Sequence, residues 1–438
     1  MSHSPAFLPH TLPAGWIQDR IRDRLRRVVG GDWGADAGSA DELVDVVVVR
    51  VADMDGIGIS LDDPTIRAVT PASLETRRLT PDSLVIEKSG GGEKQNVGRV
   101  ALVGMLDGEA ICSNFMAVMD VDAATSSSFL NYSFSALYDT DMNFPSVKQT
   151  TGIQNLDVVA YLSTHIAFPA QDEQKRIAAY LDASCRAIDA AVAAKREQID
   201  SLFAAMKSSI RKAVMLGINP KVRLKTTDVA WIPEMPAHWN LRRIKDVMEF
   251  HNTIRVPLSS TERGLMTEKV YDYYGASGVI DKVEDYHFDG TYILIAEDGA
   301  NLLSRSRPLA FLATGKFWVN NHAHILSPRY GGNICYFVNL LESQDFSLSV
   351  TGAAQPKLTM ENLGRYKVGV PGREEQVEIA EHLQGLGSRF EAVAEKIGAQ
   401  IEILTAYRKS LIHECITGLR RISDEDVNRV VAHAATFA

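Results

Sequence analysis

The sequence predicts an α+β chain in which two pseudo-symmetric α/β domains are separated by two long antiparallel helices that pair as a coiled coil. Three observations carry this. A half-unit occurs twice along the 438 residues, two long segments show a seven-residue apolar period, and the blocks between them alternate strand-like runs with turn dipeptides.

The repeat comes first. Phe168-Pro169-Ala170-Gln171-Asp172-Glu173-Gln174, with Ile177-Ala178 and Leu181 behind it, returns as Val370-Pro371-Gly372-Arg373-Glu374-Glu375-Gln376, with Ile379-Ala380 and Leu383. A second matched pair is Pro13-Ala14-Gly15-Trp16 and Pro236-Ala237-His238-Trp239. A third is Gly152-Ile153-Gln154 and Gly352-Ala353-Ala354-Gln355. The repeat is far longer than the ~20–50 residues of a solenoid unit, so it points to two homologous domains about a pseudo-two-fold axis. The expected layout is a first domain over 1–168, a helix over 169–220, a second domain over 221–370, a second helix over 371–420 and a tail over 421–438.

The helices follow from periodicity. From Asp172 to Leu216, Leu181, Ile188, Lys195 and Leu202 fall seven apart, with Cys185, Val192, Ile199 and Met206 as the second row. From Glu374 to Thr417, Leu383, Phe390, Ile397, Leu404 and Leu411 repeat likewise, with Leu386, Val393, Gln400 and Tyr407 beside them. Gly217 and Gly418 stand where each helix should end. Neither seam can stay exposed, and antiparallel pairing of the two, with the domains at opposite ends, is the simplest burial. The Leu383, Phe390, Ile397 and Leu404 row is expected against Leu181, Ile188 and Leu202.

The variable blocks read as mixed strand. Val44–Val51, Ser83–Ile86, Val100–Met105, Ala117–Val121, Tyr292–Ala296 and Ile334–Leu340 are strand-like. Asp55-Gly56, Ser89-Gly90, Asp107-Gly108, Asp298-Gly299 and Gly331-Gly332 are turn signals. Ile17 to Val28 reads as an amphipathic helix with Ile17, Ile21, Leu25 and Val28 on one face and Arg20, Arg24 and Arg27 on the other. A solvated surface helix and a phosphate-facing one are equal readings of it.

Composition is globular, 45% hydrophobic and 23% charged. No apolar run approaches a membrane span, no signal peptide is read at the start, and four scattered cysteines fit a reducing, cytoplasmic setting. The net charge of −9 disfavours a whole-surface nucleic-acid binder, so any DNA contact must use local basic patches or partner subunits.

Enzyme motifs fail in turn. Pro81-Asp82 with Glu87-Lys88 lacks the residue between acid and lysine that a P-D…E-x-K nuclease needs. Gly315-Lys316 has neither the glycine nor the hydroxyl of a P-loop. No D-P-P-Y or N-P-P-F tetrapeptide is present. His322-Ala323-His324 has no third metal ligand by spacing, so a structural pair is preferred and no metal is expected. Ser89 to Arg99 is glycine-rich with two cations, a flexible hairpin loop as readily as a phosphate nest. Glu173-Gln174 and Glu375-Gln376 sit in first helical turns, where a carboxylate suits the macrodipole, and read as structural or interfacial.

The Trp entry, the G-x-Q turn, the P-x-x-x-E-Q-x-x-I-A-x-x-L motif and the long helix together resemble the specificity subunit of type I restriction–modification systems, over nearly the whole chain. The resemblance implies that each variable block is a target recognition domain and that the helices are the spacer. It implies a non-catalytic subunit without cofactor, S-adenosylmethionine being held by the partner. The implied partners are double-stranded DNA, two methyltransferase subunits and, in restriction complexes, translocase–nuclease subunits. A bipartite site needs two readers at fixed separation, and two different blocks should read an asymmetric one. Candidate readers are Lys88, Lys94, Gln95, Asn96, Arg99 and Asn114 in the first block. In the second they are Asn301, Arg305, Arg307, Lys316, Asn320 and Asn321. These residue types read guanine and adenine edges, with phosphate contact the alternative for each cation. Glu173, Gln174, Glu375 and Gln376 are the candidate partner contacts. The rival readings are the DNA-reading part of a single-chain or orphan methyltransferase or nuclease, and a scaffold that does not bind DNA.

Overall fold

The computed structural model describes residues 7–92, 95–150, 153–352 and 355–435. The chain divides into two compact units, Met1–Lys195 with Ala399–Ala438, and Arg196–Gly398. The predicted long helices are present as Gln171–Leu216 and Arg373–Thr417, each giving one half to each unit. Gly217 and Gly418 both take φ +78°, the left-handed turn that ends a helix cheaply only at glycine.

The first unit is built on an antiparallel sheet of four strands in the order 100–102, 84–87, 116–121 and 25–30. A second, mixed sheet of four strands (110–112, 44–49, 66–69, 35–36) lies in the same unit. The second unit holds one six-stranded sheet, and its first four strands have the same order: 310–319, 288–296, 323–328, 248–250. Strands 271–275 and 278–283 extend it. The duplication is thus a shared four-strand core, to which each unit adds its own strands.

Each unit repeats the same entry. Ile17–Arg20 pairs antiparallel with His165–Phe168, and Asn240–Arg243 pairs with Lys367–Val370. A short helical turn follows each strand, Ile21–Arg24 and Ile244–Val247, then a strand of the main sheet. The expected helix over Ile17 to Val28 is therefore wrong. Its supposed apolar face splits, with Ile21 fully buried but Ile17 and Val28 largely exposed. The backbone hydrogen bonds of residues 17–20 and 25–30 go to neighbouring strands instead. The arginines are met locally, Arg24 by Asp19 at 3.0 Å and Arg27 by Asp120 at 2.7 Å.

Ile334–Leu340 is also corrected, from strand to helix (Ile334–Glu342). Asn333 caps it, its side chain accepting the Tyr336 N–H at 3.0 Å. Tyr336, Phe337, Leu340 and Leu341 are buried, a helical spacing hidden within a β-prone run. The first unit has the equivalent helix at Ser127–Asp139, capped by Ser126.

Each domain helix packs on a half of the long pair. Phe129, Leu130, Phe134 and Leu137 share a core with Ile177, Leu181, Leu411 and Cys415, and Tyr336 and Phe337 share one with Val214, Ile379 and Leu383. A fully buried Leu or Ile is worth about 1.5–3 kcal/mol, so these faces rather than helix propensity hold the helices. The pairing is antiparallel within each unit. In the first, Arg408 meets Asp189 at 3.0 Å and Arg176 reaches the Ile422 carbonyl at 3.0 Å. The expected row against row is only loosely right. Leu181 lies with Leu411 and Cys415, and Leu383 with Ala213 and Val214. The charged interruption of the seam is answered across the pair, Lys195 Nζ donating to Gln400 Oε1 at 2.6 Å.

The chain ends complete the first unit. A Cβ on Gly418 would meet Pro13 at 2.5 Å and Trp16 at 3.3 Å; one on Gly217 would meet Glu375 at 3.3 Å and Trp239 at 3.5 Å. Each P-A-x-W tryptophan thus covers the glycine ending a long helix, through the two ends of the chain in the first unit and through neighbouring sequence in the second.

Candidate nucleic-acid interface

In both units the segment before the E-Q motif lines up on the end of a central strand. The Leu156 N–H donates to the Lys88 carbonyl at 2.8 Å, and the Leu358 N–H donates to the Glu297 carbonyl at 2.8 Å. The G-x-Q turns and the loops after the central strands therefore share one edge in each unit. Gly152, Ala353 and Ala354 lie outside the described residues.

In the first unit, Gln154 is buried and accepts the Val97 N–H at 3.2 Å, and its amide faces Asn96 Oδ1 at 3.3 Å. Gly91, at φ +62°, admits this amide, since a Cβ there would sit 2.7 Å from it. Asn96 is held further by Tyr138, whose hydroxyl donates to its carbonyl at 2.7 Å. Arg99 donates to Glu87 at 3.0 Å. Burial pushes the Glu87 carboxyl up, and Arg99 opposes this. With its amide turned to accept, Gln95 receives Arg99 at 3.0 Å. Lys88 and Asn114 come together at a neighbouring turn, where the Lys88 N–H donates to the Phe115 carbonyl at 2.8 Å. Asn114 and Phe115 are exposed there. Lys94 lies outside the described residues.

In the second unit, Asn320 is buried and accepts the His322 N–H at 2.8 Å, while Asn321 is exposed. Asn301 closes its own loop, accepting the Arg307 N–H at 2.9 Å. Arg305 takes φ +51° and lies 3.4 Å from the Glu342 carboxylate. Arg307 and Lys316 are exposed, and the Lys316 ammonium sits 4.4 Å from the Tyr286 ring centre. Six of the twelve candidate readers, Gln95, Asn96, Arg99, Asn301, Arg305 and Asn320, thus already have hydrogen-bond or ion-pair partners in their own unit. Gln95, Asn114, Arg307, Lys316 and Asn321 are exposed.

Sequence reading missed the ionic centre of this edge. Glu297 meets Arg255 at 2.6 Å, Lys357 at 3.3 Å and His324 at 3.5 Å. Burial works to raise its pKa, but hydrogen bonds and charge from Arg255 and Lys357 bring it below the usual carboxylate range. Burial holds the His324 pKa down, and the geometry fits a neutral ring: Nε2 donates to the Leu358 carbonyl at 2.7 Å and Nδ1 accepts from Asn252 at 2.8 Å. His322 pairs with Asp298 at 2.8 Å, so both histidines have partners inside the unit. Lys357, two residues after Gln355 in the repeated motif, was the signal available for this centre.

The E-Q motif has one geometry in both units. Gln174 Oε1 accepts the Ser126 N–H at 2.8 Å and its Nε2 donates to the Pro169 carbonyl at 2.9 Å. Gln376 Oε1 accepts the Asn333 N–H at 2.9 Å and its Nε2 donates to the Pro371 carbonyl at 3.1 Å. Each glutamine thereby ties the N-cap of its domain helix to the first turn of a long helix. Glu173 pairs with Arg421 at 3.0 Å, and Glu375 accepts from Trp239 Nε1 at 3.0 Å and faces His238 at 2.8 Å. All four side chains are engaged inside their own unit. No three His, Cys, Asp or Glu side chains among the described residues are grouped to hold a metal, and no described helix is long and apolar enough to cross a membrane.

Residues 236–402 match the model of the type I restriction modification DNA specificity domain. The chain is 30% identical over 163 residues to a Haemophilus influenzae protein assigned as a type I restriction enzyme specificity subunit. It is 24% identical over 316 residues to the MjaVIII specificity subunit of Methanocaldococcus jannaschii. The first alignment covers 37% of this chain and 38% of the relative, the second 67% and 71%. The chain therefore spans little over a third of the Haemophilus relative's length. A chain solved in a study of complex assembly and conformational transition of the type I R-M system superposes with a TM-score of 0.68 at 16% identity, covering 93% of this chain and 99% of that one. The HsdS subunit from Thermoanaerobacter tengcongensis superposes with a TM-score of 0.50 at 16% identity, covering 94% and 98%. These structures share the α+β fold with its long helices.

Proposed function

We propose that this chain, whose residues 236–402 belong to the type I restriction modification DNA specificity domain family, is the DNA-recognition subunit of a type I restriction–modification complex. It reads an asymmetric bipartite site, one half-site per unit. The observation that carries this reading is a duplicated four-strand core with unlike loops at the same edge. A shared scaffold suits two equivalent placements on DNA, and different loops suit two different half-sites. Exposed Asn114, Arg307, Lys316 and Asn321 are the candidates for base and phosphate contact.

The long helices serve as spacer and as docking surface for two methyltransferase subunits, with translocase–nuclease subunits joining in the restriction complex. S-adenosylmethionine belongs to the methyltransferase, and this chain contributes no catalysis. Ile403 and Tyr407, one turn apart in the first unit, are 68% and 49% exposed, as apolar docking residues would be before a partner covers them. In the second unit Phe203 and Val393 are exposed likewise. The Glu-Gln turns act beneath this surface by fixing each domain to its helix.

At −9 the isolated chain should bind DNA weakly, with partners supplying much of the phosphate neutralisation. The test is co-expression with a type I methyltransferase subunit, followed by mass determination and selection from a random duplex pool. Two partner copies and a split consensus are expected. One partner copy at saturation, or no enriched sequence, refutes the reading. Methyl transfer by the chain alone would favour the single-chain enzyme.

A further inference from the structure

We propose that the first unit carries a phosphate-binding site in the cleft where the Ser127–Asp139 helix begins beside the first turn of the first long helix. The cleft has a volume of about 510 Å³ and is lined on its donor side by Arg26, Thr125, Ser127, Ser128 and Lys175.

Three features make this a site for an oxyanion. The helix has 13 residues, and its N-cap side chain satisfies only the Phe129 N–H, so the first-turn amides of Ser127 and Ser128 remain as donors at the positive end of the dipole. Thr125 is 95% buried (5% exposed) at the cleft wall, and its Oγ1 has no hydrogen-bond partner. An unpaired buried hydroxyl is unfavourable, and a phosphate oxygen reached by a χ1 rotation would satisfy it. Arg26 has a side chain 74% exposed and only a 3.4 Å contact to Asp120, and Lys175 is exposed on the opposite wall. Closing on a ligand would cost Arg26 only that long contact.

Three carboxylates also line the cleft, and Asp120 is the one whose charge is met by ion pairs. Asp120 is held by Arg27 at 2.7 Å and by the Ser83 hydroxyl at 2.8 Å. Asp122 accepts the Ala124 N–H at 3.0 Å. The charges of Asp82 and Asp122 are left to face Arg26 and Lys175, and a phosphate must draw both cations to itself. At the second unit's domain helix Arg329 donates to the Met248 carbonyl at 3.1 Å, and the Arg373 guanidinium would lie 3.5 Å from a Cβ on Gly331.

The phosphate could come from the DNA backbone, which rests on the proposed function, or from a free phosphate. Two measurements on the full chain separate them. Calorimetric titration with inorganic phosphate should show saturable binding that is lost in Thr125→Val and in the Arg26→Gln/Lys175→Gln pair. Ser128→Ala is a second variant should either fail to fold. Anisotropy with a labelled duplex should give a log–log salt slope that falls by about 0.9 in the double variant if one backbone phosphate is held there. Saturable phosphate binding with an unchanged DNA slope keeps the site and assigns it to free phosphate. A lowered slope assigns it to DNA. The absence of both effects overturns the proposal, while the wild-type slope still reports on DNA binding itself. If no duplex binds the wild type, the DNA reading fails and calorimetry alone decides the site.

Discussion

Replacing Gln174 by Leu keeps the volume of the side chain and removes its hydrogen bonds to the Ser126 N–H and the Pro169 carbonyl, with a longer one to the Ala124 carbonyl at 3.4 Å. The residue is 3% exposed, so water cannot replace it. The Ser126 N–H and the Pro169 carbonyl are left unpaired, and each orphaned buried group costs about 1–3 kcal/mol, giving about 2–6 kcal/mol in total. Even the lower bound is about 30-fold in an opening equilibrium. The cost should be local, because Gln376 performs the same task in the other unit through the Asn333 N–H and the Pro371 carbonyl. Hydrogen exchange read by mass spectrometry is the assay. Gln174→Leu should speed exchange in the Ser127–Asp139 helix and leave the Ile334–Glu342 helix unchanged, and Gln376→Leu should do the reverse. A loss under about 0.5 kcal/mol, or equal loosening of both helices by either variant, refutes the role assigned to the motif.

Three further outcomes follow from the same contacts. Glu375→Ala should cost the second unit about 1–3 kcal/mol by orphaning the Trp239 indole N–H, with a shift in tryptophan emission; in the first unit the Trp16 indole has no partner, so Glu173→Ala should cost less in urea unfolding. His324 has a lowered pKa, so its stabilising form is neutral: its contribution is complete above its ordinary value of 6.5 and falls as pH drops from there toward the folded value. Thermal melts of the second unit between pH 7.5 and 5.5 should show this loss, and His324→Gln should flatten it; an unchanged slope contradicts the buried neutral ring. The Lys195–Gln400 bond is exposed, so a double-mutant cycle to alanine should give a coupling of about 1 kcal/mol or less, and a larger value would mean the pair is buried in solution.

Much of the architecture was legible because it was written twice. The heptad rows marked both long helices, and Gly217 and Gly418 marked their ends within a residue. The offset between Trp16 and Trp239 also carries Ile21-Arg22-Asp23 onto Ile244-Lys245-Asp246, the strand-to-turn junction of each unit. That echo was overlooked because isolated periodicity favoured a helix, and tertiary strand pairing overrode it. The Ile334–Glu342 helix was hidden by β-branched and aromatic residues, whose burial on a long helix outweighs propensity. The candidate readers were chosen by residue type alone. Type does not reveal that Arg99 faces Glu87 or that Asn301 closes its own loop, since those partners are 12 and 6 residues away along irregular chain. Arg255, Lys357 and Glu297 come from three separate segments, and only the fold assembles them.

The central claim is that each unit reads its own half of a split site across a fixed helical spacer. The most direct measurement is selection from a random duplex pool by the methyltransferase complex, comparing wild type with a chain whose residues 240–370 come from a different specificity subunit, and with one carrying an extra heptad in both long helices. The account predicts that the swap changes one half-site and leaves the other and the gap intact. It predicts that the heptads, adding about 10 Å of helix, lengthen the gap by roughly three base pairs. A swap that alters both halves, or a gap unmoved by the added heptads, contradicts it.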